Sequence, residues 1–244
     1  VVITHGQASD PFWSVVKRGV DDAGRLMGAE VQYEAPSTFD MPAMRTLIEA
    51  AIATKPDGLV VSIPDADALG PAIKAAVAAG IPVISMDSSL DVSHELGAIL
   101  HMGIDEYPSG VAAGERMKAA GRTTGACINM EVGNVALDQR CQGFADALGG
   151  KSQVIATSMD PTEIKAGVFA YLKQHPEVDA VLVSGVSGFD GTLEALREAQ
   201  LLDKVAIGSF DLGPSLLEAI DRGEALFAID AQQYLTGYYP VVFL

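Results

Sequence analysis

Polar and aromatic side chains recur in this sequence just after short apolar runs. They provide carboxylates, amides, a hydroxyl, a guanidinium and two aromatic rings, at Gln7, Asp10, Phe12, Trp13, Ser62, Asp87, Asn134, Arg140, Asp211 and Gln232. Carboxylates accept hydrogen bonds from vicinal hydroxyls, a guanidinium donates to hydroxyl oxygens, and an indole face packs against the C–H side of a sugar ring. These residue types therefore favour a neutral polyhydroxylated ligand.

The charges within this set favour the same kind of ligand. Asp10, Asp87 and Asp211 bring up to three negative charges. Arg140 supplies one positive charge. A carboxylate or phosphate on the ligand would be repelled in a partly desolvated site with this balance, whereas a hydroxyl both donates to the aspartates and accepts from the arginine. We therefore expect an uncharged ligand.

Structural roles compete with ligand contact in the first of these loops. Asp10 stands directly before a proline, so it is a good helix N-cap with or without a ligand. Phe12 and Trp13 are residue types that usually lie in cores. Because two adjacent residues in one helical turn are not expected to point inward together, at least one of them should face the loop, and we assign that position to Trp13.

The later candidates have alternatives of the same kind. Asp87 follows an apolar run and could instead cap a helix or pair with a lysine. Arg140 stands between glutamines and near a cysteine, in a segment that suits an exposed helix surface. Gln232 and the adjacent Gln233 both suit a solvated helix start. Residue type alone leaves these alternatives open.

Sequence motifs for catalysis and for metal or cofactor binding are absent. The chain contains no GxSxG, GxxxxGK[ST] or HExxH motif and no GxGxxG after a strand. The four histidines, at positions 5, 94, 101 and 175, lack metal-ligand spacing, and the two cysteines lack a CxxC pattern. His5 lies near the candidate set, where a hydrogen-bonded and partly buried role suits it. We expect neither an enzyme nor a bound metal or cofactor.

Composition narrows the range of partners. The formal charge of −16, from 32 acidic and 16 basic residues, argues against binding to a phosphate backbone, so nucleic acid is not an expected partner. No apolar run reaches the roughly 18–20 residues that span a bilayer. Position 1 already lies in an apolar run, so a signal peptide is either absent or was removed before this sequence begins.

Alternating strands and helices must position these loops. Apolar runs such as residues 58–62 and 81–86 lack a polar face, as buried parallel strands do, and helical periodicity fills the segments between them. Predicted strands cover residues 1–3, 31–34, 58–62, 81–86, 96–102, 126–130, 154–157, 180–184, 205–209 and 225–229. The second half repeats the plan of the first, so the fold class is α/β with parallel strands. The length suits one large domain or two lobes of about 100–150 residues.

The two cysteines lie in consecutive elements. Cys127 is at the start of a predicted strand and Cys141 is in the helix that follows. A strand and its following helix run side by side in opposite directions, so the two residues can be neighbours and would form a disulfide in an oxidising compartment. Two buried free cysteines that act as small apolar residues explain the positions equally well.

Several segments occur in an order and spacing that resemble a known family. They are DPFW (10–13), DGLVVS (57–62) followed by Asp65 and Asp67, AGIPVISMD (79–87), QRCQGF (139–144), GSFD (208–211) and AQQY (231–234) followed by Gly237. Together they resemble the type 1 periplasmic sugar-binding proteins of ABC importers, the ribose-binding-protein-like family. The resemblance spans nearly the whole chain.

The resemblance implies a type 1 periplasmic binding protein fold. This fold has two similar lobes, each a parallel sheet with helices on both faces, joined by three hinge strands. The first lobe would hold residues 1–102 plus 232–244 and the second residues 103–231, with the ligand in the cleft between lobes that close on binding. The family's ligand-contacting positions fall on Asp10, Phe12, Trp13, Ser62, Asp87, Arg140, Asp211 and Gln232.

Two departures from the family pattern bear on the ligand. Ser88 stands where ribose binders have arginine, and Gly185 stands where an asparagine is usual. The resemblance therefore implies a ligand other than ribose itself. Asn134 is a candidate for a replacement contact.

The function implied by the resemblance is that of a monomeric periplasmic solute-binding protein. It would capture a neutral monosaccharide or small polyol and deliver it to the membrane permease of an ABC importer, with its signal peptide already removed. The alternative is the effector-binding core of a LacI-type transcription regulator, which shares this fold and site. A third possibility is an α/β enzyme acting on sugars. Because the last residues, 238–244, form an apolar helical pattern without a cap, we expect the chain to continue beyond them.

Overall fold

The computed structural model describes residues 1–6 and 9–244 and divides the chain into two compact units. Unit 1 comprises Val1–Ile104 and Gln232–Leu244, and unit 2 comprises Asp105–Ala231. Each unit contains a five-stranded parallel sheet with helices on its faces. The predicted α/β class with two parallel sheets is confirmed.

Unit 1 is built on strands that alternate with helices. Its strands are β1 (Val2–Ile3), β2 (Tyr33–Glu34), β3 (Leu59–Ser62), β4 (Val83–Met86) and β5 (Leu100–Met102). Its helices are α1 (Pro11–Met27), α2 (Met41–Thr54), α3 (Ala66–Ala78), α4 (Leu90–Ser93) and, at the end of the chain, α10 (Gln233–Phe243). The sheet order is β2-β1-β3-β4-β5, and each neighbouring pair is parallel.

Unit 2 repeats this alternation. Its strands are β6 (Gly125–Asn129), β7 (Ser152–Ala156), β8 (Ala180–Val183), β9 (Ala206–Phe210) and β10 (Phe227–Ile229). Its helices are α5 (Glu106–Ala119), α6 (Val135–Ala147), α7 (Pro161–Gln174), α8 (Phe189–Ala199) and α9 (Pro214–Asp221), with a 3₁₀ turn over Val186–Gly188. The sheet order is β10-β9-β8-β6-β7, again parallel throughout.

Local chemistry sets the bounds of α1 as the sequence predicts. The Asp10 carboxylate accepts hydrogen bonds from the backbone N–H groups of Phe12 at 2.8 Å and Trp13 at 3.2 Å, and Pro11 occupies the first helical position. Such a cap stabilises a helix by about 1 kcal/mol. The helix ends at Gly28, whose φ of 66° is readily adopted only by glycine.

Each unit has its own apolar core. Strands β3, β4 and β8 are buried along their whole length, which explains why their sequences lack a polar face. In unit 1 the core includes Ile3, Val61 and Ile73. In unit 2 it includes Ile128 and Val181.

The run at 96–102 is a shorter strand than predicted. β5 contains only Leu100–Met102, because Gly97 adopts a φ of 94° that ends any extended segment before it. Leu96 is buried and packs over Gly70 of α3, where an added Cβ would lie 3.1 Å from its side chain. Leu96 and Ala98 of the first part of the run are therefore buried in a loop, whereas Ile99 is exposed.

Helices α1 and α10 cross closely enough to require glycine on both sides. A Cβ on Gly19 would overlap the Tyr234 carbonyl oxygen, and a Cβ on Gly237 would overlap the Val16 carbonyl oxygen. Tyr234 Oη also donates to Asp22 at 3.0 Å. The C-terminal helix is thus packed backbone to backbone against the first helix of the chain.

Two glycine-to-alanine substitutions, one at this crossing and one away from it, should have opposite effects on stability. Gly237→Ala should lower stability by about 1–3 kcal/mol, because the methyl group forces the helices apart. Gly167→Ala in α7 should instead raise stability by up to about 1 kcal/mol, since an added Cβ there meets no described atom within 4 Å and alanine favours the helix. Chemical denaturation of both variants measures the effects, and equal midpoints would contradict the close crossing.

Candidate functional site

Arg140 is the centre of a buried polar cluster in unit 2. Its side chain is 3% exposed, so the surface position that the sequence left open is excluded. Nε donates to Glu106 Oε2 at 2.6 Å and Nη2 donates to Glu106 Oε1 at 3.1 Å, which is a bidentate pair. Nη1 donates to the Ser184 carbonyl at 2.7 Å and lies 3.6 Å from Asp211 Oδ2. The guanidinium therefore faces two carboxylates.

The cluster lies at the carboxyl ends of β8 and β9. Ser184 directly follows β8, and Phe210 is the last residue of β9, immediately before Asp211. The Phe210 ring packs against the guanidinium carbon of Arg140 at 4.4 Å, in cation–π geometry. In open α/β sheets this edge is where small molecules bind. Arg140 and Asp211, which the sequence predicts at the carboxyl ends of the strands, therefore lie together there in unit 2.

A close approach of α5 and α6 brings Glu106 to Arg140. A Cβ on Gly110 of α5 would overlap the Arg140 carbonyl oxygen, and a Cβ on Gly143 of α6 would overlap the Tyr107 carbonyl oxygen. The two helices can approach this closely only with glycine at both positions. Glu106, the first residue of α5, is 4% exposed as a result.

Asp87 and Asp211 occupy corresponding places in the two sheets. Each directly follows a strand, β4 or β9, and each has a left-handed backbone, with φ of 68° and 67°. The Asp87 N–H donates to the Met102 carbonyl at 2.8 Å, and the Asp211 N–H donates to the Ile229 carbonyl at 2.7 Å, in both cases at the end of the next strand. Such a backbone is costly for a residue other than glycine, and it is concentrated at functional sites.

Asn134 is fixed by the N-terminus of α6. Its Oδ1 accepts from the Ala136 N–H at 3.0 Å as the helix cap, and its Nδ2 donates to Glu131 Oε2 at 2.7 Å. The preceding strand end adds Asn129, whose Nδ2 donates to Asp138 Oδ1 at 2.8 Å. Burial raises the pKa of Asp138, while the bond from Asn129 opposes that rise. The structure thus gives Asn134 a capping role at the start of α6, the helix that carries Arg140.

The first turn of α1 carries the aromatic candidates of unit 1. Trp13 is 4% exposed and Phe12 is 8% exposed, so both adjacent aromatic residues are buried. Trp13 is covered by the loop after β1: its ring lies edge-on to the His5 ring at 4.7 Å, and a Cβ on Gly6 would overlap the indole. Phe12 packs edge-on against Trp13, with ring centroids 4.9 Å apart. Trp13 nevertheless lies on the loop side assigned to it.

Ser62 and His5 form a buried pair at the ends of β3 and β1. Ser62 is fully buried, and its Oγ accepts from the His5 backbone N–H at 3.0 Å and lies 2.9 Å from His5 Nδ1. His5 is 3% exposed, in agreement with the hydrogen-bonded role that the sequence suggests. The structure therefore gives Ser62 a role in holding His5, whose ring contacts Trp13.

Asp87 sits among hydroxyl groups and a histidine. Ser88 Oγ donates to Asp87 Oδ2 at 3.1 Å. On the strand that Asp87 follows, Ser85 Oγ of β4 lies 2.8 Å from Nδ1 of His101 on β5 and 2.5 Å from Ser93 Oγ. Burial lowers the pKa of His101, and the charges of Asp87 and Asp91 oppose that shift. This side of unit 1 therefore presents a carboxylate beside a neutral hydrogen-bonding network.

The two glutamines predicted as ligand contacts, Gln7 and Gln232, are the remaining positions. Gln7 lies outside the described residues. Gln232 is exposed and begins α10 with a φ of 59°, whereas Gln233 beside it is 4% exposed. The two glutamines that the sequence could not tell apart therefore differ in burial, with Gln233 inside.

Cys127 and Cys141 form a disulfide, with their Cα atoms 5.6 Å apart. Both residues are buried, and the bond joins β6 to α6 next to Arg140. The sequence left open whether these cysteines are bonded or free, and in the structure they are bonded.

Within residues 1–6 and 9–244, no group of three or more histidine, cysteine, aspartate or glutamate side chains is arranged to hold a metal ion. None of the helices in the same part of the chain has the length and apolar character to cross a membrane.

The fold of the chain agrees with comparison to known proteins. Residues 1–244 match the family described as periplasmic binding protein domain. The chain belongs to the periplasmic binding protein domain family. Members of this family are binding proteins rather than enzymes.

Solved structures of this family are similar along the chain. A carbohydrate transporter from Acidothermus cellulolyticus, in complex with myo-inositol, is 33% identical, with a TM-score of 0.94 over 99% of this chain and 83% of that one. An ABC sugar transporter, described as a periplasmic sugar-binding protein, from Legionella pneumophila is 25% identical, with a TM-score of 0.91 over 99% of this chain and 91% of that one.

Two relatives named as sugar-binding proteins are also similar to this chain. The xylose/arabinose-binding protein XylF of Sulfolobus acidocaldarius is 25% identical over 99% of this chain. The D-ribose/D-allose-binding protein of Pseudomonas aeruginosa is 26% identical over 78% of it. This chain spans 64% of the length of the first of these proteins and 63% of the second.

Sequence reasoning missed Glu106 as a member of the polar cluster of this periplasmic binding protein domain. An acidic residue in the first turn of a helix, next to Asp105, usually lies in solvent and complements the helix dipole. The one available signal was the glycine pair at positions 110 and 143, whose spacing in α5 and α6 permits a close crossing. Glu106 changes the charge balance, since a second acid now contacts the single arginine of the set.

Proposed function

We propose that this chain is the solute-binding component of an ABC importer and binds a neutral monosaccharide or small polyol. The observation that carries the proposal is the Arg140 cluster, in which a buried guanidinium faces the carboxylates of Glu106 and Asp211 at the carboxyl edge of a parallel sheet. The relatives support it, because their names or complexes refer to xylose, arabinose, ribose, allose and myo-inositol, which are all uncharged polyhydroxyl compounds.

The chemistry of a hydroxyl group suits such a cluster. A hydroxyl donates to a carboxylate and accepts from a guanidinium at once. Each hydrogen bond to a charged group contributes about 1.5–3 kcal/mol. A micromolar complex needs only about 8 kcal/mol in total. A few such bonds are therefore sufficient.

The same proposal includes a location outside the cytoplasm. The disulfide between Cys127 and Cys141 supports it, because disulfides persist in oxidising compartments and are rare in the cytosol. This also argues against the LacI-type alternative, a cytosolic regulator. We include in the proposal a monomer that delivers its ligand to a membrane permease.

A fluorescence titration tests the proposal at one residue. Trp13 is the only tryptophan, so its emission reports on a single site. Titration with myo-inositol, D-xylose, D-arabinose, D-allose and D-ribose should give saturable quenching or a spectral shift with at least one compound, with the same affinity by calorimetry. The variant Trp13→Phe should lose the signal and keep the fold.

Two results would contradict the proposal. One is tight binding of a sugar acid or sugar phosphate without any response to the matching neutral sugar. The other is calorimetric binding of a neutral sugar that leaves Trp13 emission unchanged, which would place Trp13 outside the site.

A further inference from the structure

Glu106 occupies the side of Arg140 that an anionic ligand would need. Carboxylates bind arginine best through two parallel hydrogen bonds to the edge formed by Nε and one terminal nitrogen. Glu106 already accepts from Nε at 2.6 Å and from Nη2 at 3.1 Å. A carboxylate from this chain thus fills the place that the carboxylate of a sugar acid would take.

The charges around the guanidinium also disfavour an anionic ligand. Arg140 carries one positive charge, and the carboxylates of Glu106 and Asp211 lie within ion-pair distance of it. All three side chains are at most 4% exposed, so solvent screens them little. An anionic group brought to this cluster is therefore repelled by its net negative charge, whereas a hydroxyl group carries no charge to be repelled.

The fold holds Glu106 in this place. It is the first residue of α5, and the glycine contacts at positions 110 and 143 fix α5 tightly against α6, which carries Arg140. The neighbouring disulfide links Cys141 to β6 and so restrains the same turn of α6. These contacts hold the backbone of Glu106 beside that of Arg140.

We propose that Glu106 is the residue that sets the specificity of this site for uncharged ligands, by occupying the bidentate edge of Arg140 and cancelling its charge. The inference rests on the proposed function, because it assumes that the ligand lies beside Arg140. It makes Glu106 a positioning residue that acts on the ligand through Arg140.

The test compares neutral and anionic ligands in matched pairs. The pairs are D-glucose with D-glucuronate, D-arabinose with D-arabinonate, and myo-inositol with myo-inositol 1-phosphate. Their affinities are measured by calorimetry for the unaltered protein, for Glu106→Gln, and for Glu115→Gln, an exposed position on the same helix. In Glu106→Gln the amide oxygen still accepts from Arg140, but the negative charge is gone.

We expect Glu106→Gln to shift the ratio of anionic to neutral affinity toward the anion by at least about tenfold. The substitution removes a negative charge that repels the anion but not the neutral ligand, and specificity is the difference between the two affinities. Glu115→Gln should leave the ratio unchanged. An equal loss of affinity for both members of a pair would overturn the proposal, since a purely structural role predicts that result. A ratio of anionic to neutral affinity that is the same in Glu106→Gln as in the unaltered protein would overturn it as well.

A second variant covers the case in which Glu106→Gln does not fold. Glu106→Ala leaves a space that acetate can fill, so acetate should raise its melting temperature and suppress its binding of the anionic partner. Binding of anions that acetate does not affect would overturn the proposal. If the unaltered protein binds none of the neutral compounds, the proposed function fails first; if it binds one and the ratio does not move, only the role of Glu106 fails.

Discussion

Replacing Arg140 with alanine should weaken binding of the neutral ligand by more than about tenfold, the factor that 1.4 kcal/mol represents. The same substitution should lower stability by about 3–5 kcal/mol, because it leaves the carboxylate of Glu106 buried without its cation. Both effects arise from one side chain, since the guanidinium bonds Glu106 and Ser184 and packs on Phe210. Calorimetric unfolding measures the stability loss, because the single tryptophan lies in the other unit.

Two further variants test whether the loss of stability comes from breaking the ion pair between Arg140 and Glu106. Arg116→Ala, at an exposed position of α5, should change neither stability nor binding appreciably. The double variant Glu106→Leu with Arg140→Met should recover most of the lost stability, since an apolar pair replaces a buried ion pair without leaving a charge. It should not recover binding. A full loss of stability in the double variant would show that the ion pair is not the cause.

Removing the disulfide should lower stability by about 3 kcal/mol. Cys127 and Cys141 are 14 residues apart in sequence, and a loop of about 15 residues closed by a cross-link restricts the unfolded chain by roughly that amount. The double variant Cys127→Ala with Cys141→Ala therefore lowers the denaturation midpoint. Since both positions are buried, alanine is tolerated and the fold is expected to persist.

Reduction of the unaltered protein provides a control for the double cysteine variant. Unfolding of the unaltered protein in a strong reductant should give the midpoint of the double variant, while the double variant itself should not respond. The chain has two cysteines, so no alternative pairing within it complicates the result. A midpoint of the unaltered protein that is the same with and without reductant would contradict a stabilising role.

The features that could be predicted from sequence depend on neighbouring residues. Asp10, Pro11 and Gly28 define the ends of α1 through bonds within a few residues, and fully apolar runs identify buried parallel strands. The family resemblance extended this to the two sheets. The predicted limits of the lobes and the ligand contacts themselves stay predictions.

The features that could not be predicted depend on distant packing. Glu106 meets Arg140 across 34 positions because two helices cross at glycines, and no local pattern shows this. The burial of both Phe12 and Trp13 has a similar origin, since His5 and Gly6 cover the indole from the loop side. Helical periodicity describes only the face that a helix turns to its own core.

The close crossing of α1 and α10 has a consequence for synthesis of the chain. Unit 1 is discontinuous, because Gln232–Leu244 joins it only after the whole of unit 2 has been made. While a ribosome is still translating unit 2, the glycine face of α1 at Gly19 has no partner helix. Domains usually fold in order from the N-terminus during synthesis. Here we expect the continuous second unit to mature first, and the N-terminal unit to wait for the last thirteen residues of this sequence.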